Sequence, residues 1–272
     1  EGVSMCRGPD RGGSRTEAPR ITLQFHPDWP HGGGLVIESM AADRVYRSQF
    51  ESGVSNGGLT AFVRGDRWRW ESRLFAGRYD EAPASARPVY GAWNRRRDPY
   101  GGAVRFGSAY VRLRPEVTQR STFCFPDSVL DPVDVGGPAL LPRLVALADA
   151  SGSDDLDDYV EAHVHGGVRF DTDVEALVLD PCFAGTAVAE AASRLGCPVE
   201  LHPGFRASPD DVDPALVTYD FAIAAARDAP GAPDATRRVA TATSGRTLTA
   251  HSHRAALARI VRRTSSADTA WM

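Results

Sequence analysis

The sequence predicts an α+β fold, with mixed, mostly antiparallel sheets and flanking helices. Three observations predict it. Short runs such as Ile21–Phe25 and Tyr159–Val164 alternate apolar and polar residues, the period of a half-buried strand. Other runs, at 35–45 and 138–149, repeat their apolar residues every three to four positions, the period of a helix. The two kinds follow one another irregularly, unlike the strict alternation of a parallel doubly wound sheet.

The totals bound the rest. A chain of 272 residues allows one large domain or two small ones, each with an ordinary core. Apolar content of 42% and charged content of 24% are those of a soluble globular protein. The net charge of −4 excludes a global basic field for nucleic acid. The chain has no lysine, so its Lys+Arg count of 31 is all arginine, which suits bidentate recognition of phosphate and carboxylate. None of the four cysteines, Cys6, Cys124, Cys182 and Cys197, falls in a C-x-x-C pair, so free thiols in a reducing compartment are expected. No apolar run reaches the length of a membrane span. The chain opens on Glu1 rather than Met, as expected of a fragment or a processed form.

In chain order, 1–19 is glycine, arginine and serine with little to bury and reads as a disordered lead-in. Residues 20–228 read as a single α+β domain and 229–272 as a linker and tail. Ile21–Phe25 is the first strand; Thr22, Gln24 and, by parity, His26 share one face, and Pro27 ends the ladder for want of an N–H. After Gly32-Gly-Gly34 a helix is expected over 35–45. The polar, aromatic and glycine-rich 46–58 has no period and suits a ligand-clamping loop. In 64–75 arginines alternate with Trp68 and Trp70; the tryptophans read as core and the arginines as snorkelling. Strands are expected at 87–93, 104–113 and 120–125, and a helix at 138–149. Ala176–Asp180 reads as a strand partnering the one at 159–165. Helices at 184–195, capped by Gly196, and at 214–227 bracket a short strand at 199–202. A basic amphipathic helix is expected at 253–263.

The organising stretch is Tyr159-Val-Glu-Ala-His-Val-His-Gly166. Its alternation puts Glu161, His163 and His165 on one face, where a solvated strand carries Thr, Lys or Ser. Such a row makes either a polar site or a hydrogen-bonded edge. As a site it suits a carboxylate chemistry at Glu161. It also suits a zinc or iron centre at His163 and His165, completed by His26, His202, Asp171 or Asp173. No G-x-G-x-x-G, P-loop, G-x-S-x-G or H-E-x-x-H motif is present, against dinucleotide-fold dehydrogenases, P-loop enzymes and the common hydrolases.

Four phrases carry a resemblance. Tyr46-Arg-Ser-Gln-Phe-Glu-Ser-Gly-Val-Ser-Asn-Gly-Gly58, Asp66-Arg-Trp-Arg-Trp-Glu-Ser-Arg-Leu-Phe75, Arg87-Pro-Val-Tyr-Gly-Ala92 and Thr122-Phe-Cys-Phe-Pro-Asp-Ser128 resemble a bacterial and fungal family, domain of unknown function 3626, over about 21–225. The chain departs from that family at His163, at Trp93-Asn94 and over 228–272. A more remote resemblance is to ADP-ribosyltransferase folds. It rests on His26 at the end of the first strand, Tyr90-Gly91, Ser121-Thr122 and the later Glu161, with His163 where a second acidic residue would stand.

That resemblance implies NAD as cofactor and substrate, with ADP-ribose passing to an unknown protein or nucleic-acid acceptor. It implies Glu161 and His26 as catalytic residues, and Arg47, Tyr90, Ser121, Thr122, Ser55 and Asn56 as NAD-binding. Tyr90 would stack on nicotinamide, and the strand of His26 would neighbour that of Glu161. A cytoplasmic or secreted effector is implied. A nucleotide-binding or interaction module without catalysis is the alternative outside enzymes.

Overall fold

The protein is described from a computed structural model covering residues 18–53, 61–153 and 156–205. The expected lead-in, the 214–227 and 253–263 helices, and Ser55 and Asn56 lie wholly or almost wholly outside the described residues.

The chain opens with β1 (Ile21–Phe25) and a small ribbon, β2 (Pro30–His31) and β3 (Gly34–Leu35). Then come α1 (Val36–Asp43), β4 (Val45–Tyr46) and the single-turn α2 (Gln49–Ser52). After α3 (Asp66–Leu74) come β5 (Val89–Trp93), β6 (Ala109–Leu113), β7 (Ser121–Cys124), β8 (Val135–Gly136) and α4 (Leu141–Ala150). The described chain closes with β9 (Val160–Val164), β10 (Val168–Arg169), β11 (Val174–Leu179), α5 (Ala187–Ser193) and β12 (Val199–Leu201).

Local chemistry sets the helix ends. In α1 the Glu38 carboxylate accepts from the Leu35 N–H at 2.8 Å, a partner for one of the donors that a helix start leaves open. The helix ends two residues earlier than expected because Arg44 turns left-handed (φ 58°) and donates to the Met40 carbonyl at 2.8 Å. In α2, Ser48 and Glu51 cap each other reciprocally, a capping box. The expected 184–195 helix begins only at Ala187, since Pro181–Phe183 is a 3-10 turn held by Asp180 Oδ1 on the Cys182 N–H. Likewise Val104–Phe106 leaves the expected 104–113 strand as a 3-10 turn, and Phe106 meets Tyr159 edge-on at 5.5 Å.

Eight strands form one sheet in the order β12-β11-β6-β1-β5-β9-β7-β8. Every pair with a described register is antiparallel except β11 with β12. The fold is α+β and mostly antiparallel, as the periodicities predict. Two neighbour relations differ from expectation. β11 pairs with β6 and β12, not with β9. β5 separates β1 from β9, so the strands of His26 and Glu161 are not adjacent.

One sheet face is apolar. Leu23, Val111, Phe123, Ala162 and Leu177 pack there with Ile37 of α1, Leu144 of α4 and Val188 of α5. The other face carries Thr22, Gln24, Tyr90, Glu161, His163 and Thr122, and α3 brings Arg67 and Trp70 to it. Among the described residues no helix is long and apolar enough to cross a membrane.

Candidate functional site

β1 and β5 pair only at Ile21–Trp93 and Thr22–Ala92, although both strands run on. At Gly91 the two strands approach closely. A Cβ there would stand 2.5 Å from the Thr22 carbonyl oxygen and from Leu23 Cδ2. Beyond that point residues of both strands line a cleft of about 340 Å³, within the span of small-molecule pockets, roughly 300–1,000 Å³.

Aromatic and charged groups share the cleft. Trp29, Trp70, Tyr90, Phe106 and Tyr159 supply rings, Arg47 and Arg67 cations, and Glu161 and Asp127 carboxylates. Arg67 is buried, with its guanidinium 4.3 Å from the Trp70 ring centroid and 4.9 Å from that of Tyr90. Burial pulls its pKa down, opposed by Tyr90 and by the carboxyl groups of Glu161, Glu71 and Asp127. Among the lining residues, Gln24 Oε1, Gln49 Oε1 and Trp70 Nε1 are buried polar atoms without a hydrogen-bond partner in the protein. Buried acceptors and donors of this kind call for a partner.

The two carboxyl groups are driven apart. Glu161 Oε2 accepts the Ser128 N–H at 2.7 Å and lies 3.6 Å from His163 Nε2. Burial opposes the charge of Glu161, but His163 and Ser128 outweigh it and hold the carboxyl below the usual range. Asp127 goes the other way: burial first, then the charge of Glu161, push it up. Its Oδ2 accepts the Tyr159 hydroxyl, and its Oδ1 accepts the Val129 N–H at 2.9 Å. One carboxylate held charged beside one pushed towards neutrality is how acid–base pairs are set up.

Behind the cleft runs a hydrogen-bonded row. Thr122 Oγ1 stands 3.0 Å from His163 Nδ1 and 3.0 Å from His165 Nε2, and His165 Nδ1 meets the Tyr79 hydroxyl at 2.6 Å. A charged carboxylate only accepts, so an N–H at His163 Nε2 suits Glu161. Nδ1 then accepts from Thr122, Thr122 accepts from His165 Nε2, and His165 Nδ1 accepts from Tyr79. Burial, helped by His163, Arg78 and Arg120, pulls His165 down to about 4.

Of the sequence-predicted residues, His26, Arg47, Tyr90 and Glu161 all line the cleft. His26 is half-buried, its ring tilted against Trp29 at 5.6 Å. Arg47 donates to Ser39 Oγ at 2.9 Å and pairs with Asp43. Tyr90 is less open than a stacking platform requires: Arg67 lies over its ring and its hydroxyl donates to Glu71 at 3.3 Å. Ser121 is turned to the opposite side of its strand, donating to the Val117 carbonyl at 2.8 Å. Neither it nor Thr122 is among the cleft lining.

The expected metal partners lie elsewhere. Asp171 pairs with Arg169, Asp173 with Arg120, and His202 with the Ser108 carbonyl and Gly204 N–H. Of the described cysteines, Cys124 is buried and Cys182 and Cys197 are half-buried. Sequence reasoning missed Asp127, Tyr159 and Phe106 as lining residues; Trp70, read as core, is buried and also lines the cleft, while Arg67, read as snorkelling, is buried beside it. The parity of Tyr159 with Glu161 and the Arg–Trp interleaving were the available signals.

A family model described as "Protein of unknown function (DUF3626)" matches residues 20–147 and 138–227. No curated protein matches.

Proposed function

The chain belongs to the DUF3626 family, and on that premise we propose that the cleft binds NAD and that Glu161 assists cleavage of its nicotinamide–ribose bond, passing ADP-ribose to an acceptor. The observation that carries this reading is the meeting of Glu161, His26, Tyr90 and Arg47 in one cleft.

Breaking that C–N bond leaves the electron pair on nicotinamide and a cation-like centre on the ribose, as in glycoside hydrolysis. Glu161 is the negative charge for that centre. Its Oε2 is occupied by Ser128 and His163, which leaves Oε1 for the ribose. His26, at the cleft margin with Trp29, and Arg47 suit the ribose and pyrophosphate. Trp29, beside His26, is better disposed than Tyr90 to stack on a base. The cleft volume is at the small end for a whole dinucleotide, so the adenosine half would extend along its open side. The acceptor then attacks the ribose carbon and gives up its proton.

Titration calorimetry with NAD, followed by assay of nicotinamide release, tests the reading. Binding with slow nicotinamide release is expected, with release lost in Glu161→Gln and binding kept. Absence of NAD binding at millimolar concentration overturns it. Binding without release points instead to a nucleotide-binding module.

A further inference from the structure

We propose that Cys124, Glu161 and His163 form a binding site for a thiophilic divalent metal ion of the zinc class, set in the sheet immediately behind the cleft.

The register builds the site. β7 and β9 set Cys124 directly opposite Glu161, and His163 follows Glu161 by two residues on the same face. The three side chains are buried and their ligand atoms converge. Cys124 Sγ lies 3.6 Å from Glu161 Oε2 and 3.9 Å from His163 Nε2, and that nitrogen lies 3.6 Å from Glu161 Oε2. With Zn–S near 2.3 Å, Zn–N near 2.05 Å and Zn–O near 2.1 Å, the edges of a tetrahedral site come to about 3.4–3.6 Å. The triangle closes onto an ion by contracting a few tenths of an ångström. Thiolate, imidazole and carboxylate are the donor types of zinc sites, and three protein ligands leave a fourth position for water or substrate.

The surroundings fit a ligated histidine. Thr122 Oγ1 holds His163 Nδ1 at 3.0 Å, the outer contact that orients a metal-binding imidazole. A thiolate and a carboxylate together balance a divalent charge. On binding, the Cys124 thiol releases one proton, and Nε2 of His163 becomes a metal ligand. His163 keeps its one proton, now on Nδ1, and donates it to Thr122. Thr122 must then donate to His165 Nε2, and His165 must carry its proton on Nδ1, towards Tyr79. The ion therefore reverses the polarity of the whole Tyr79–His165–Thr122–His163 row. Glu161 belongs to both this site and the NAD reading, and the two are told apart because the metal is read through Cys124 and His163.

The test uses the whole chain purified without chelator. Elemental analysis should find about one zinc per chain, falling at least tenfold in Cys124→Ser and in His163→Gln. Stripped protein titrated with cobalt(II) should develop thiolate-to-cobalt charge-transfer absorption in wild type and not in Cys124→Ser. Zinc added to stripped, ¹⁵N-labelled protein should move the proton of both His163 and His165 from Nε2 to Nδ1. Circular dichroism checks that each variant folds. If a variant does not fold, the cobalt and ¹⁵N readings on wild type decide alone. Wild type without charge-transfer absorption or tautomer change overturns the site, as does metal content indifferent to Cys124→Ser in folded protein. None of these readings involves NAD.

Discussion

Cys124 and Glu161 face each other across the β7–β9 ladder, Sγ 3.6 Å from Oε2, although 37 positions separate them in the chain. The contact places a thiol against the one cleft carboxyl that is held charged. Burial first, then that charge, drive the Cys124 thiol far up. The pair thus joins the open cleft in front to the buried row behind. Changes at Glu161 are felt on both sides.

Glu161→Gln keeps an oxygen for the Ser128 N–H and the size of the side chain. It removes the charge that the proposed reaction uses. Nicotinamide release should fall at least a hundredfold, in line with the ~3–4 kcal/mol of one well-placed electrostatic group. The melting temperature, read by calorimetry, should move by only a few degrees.

Arg87 and Glu71 form a buried ion pair, each with less than 5% of its side chain exposed, and Arg87 also covers the Phe50 ring at 4.1 Å. Burial pushes Glu71 up, and Arg87 is the first group that opposes it. Arg87→Met leaves that carboxyl without its partner and should cost about 3–5 kcal/mol. The double variant Arg87→Met with Glu71→Leu should recover much of the loss in urea unfolding. A double variant as unstable as the single one would contradict this.

His202 is kept neutral in the fold. Burial pulls it down; Nδ1 accepts the Gly204 N–H at 3.0 Å and Nε2 faces the Ser108 carbonyl at 2.8 Å. A depressed folded pKa means that the unfolded chain takes up the proton first. The stability that His202 contributes is therefore full above about pH 6.5, its unfolded value, and declines as the pH falls from there towards the folded value. His165, pulled down to about 4, acts in the same direction down to that pH. Unfolding free energy measured from pH 7.5 to 4.5 should fall, and His202→Gln should shallow the slope.

Gly91→Ala places its Cβ 2.5 Å from backbone oxygen of Thr22, which cannot swing aside as a side-chain end would. Overpacking of this kind costs about 1–3 kcal/mol. Denaturant unfolding should register the loss. NAD binding should weaken too, because β1 and β5 carry the cleft from this point on.

Most strands and helices were legible because periods of 2.0 and 3.6 residues are local properties of the backbone. The polar face of β9 and the parity of His26 with Thr22 and Gln24 followed from alternation alone. The exceptions are instructive. Val104–Phe106 had strand-like composition, but Phe106 turns out to meet Tyr159, a contact made 53 residues away that no local pattern contains. Tyr90 read as an open ring, and Arg67 of α3 covers it.

The sequence by itself determined the α+β class, the kinds of element, and the row Glu161, His163 and His165, with His165 in the turn just past β9. Only the tertiary structure decided that β5 lies between β1 and β9, that Cys124 stands opposite Glu161, and that Arg67 and Asp127 enter the cleft. The physical reason is that alternation records which side of a strand a residue takes. Strand order and register depend on pairing between distant segments, chosen by burial over the whole sheet.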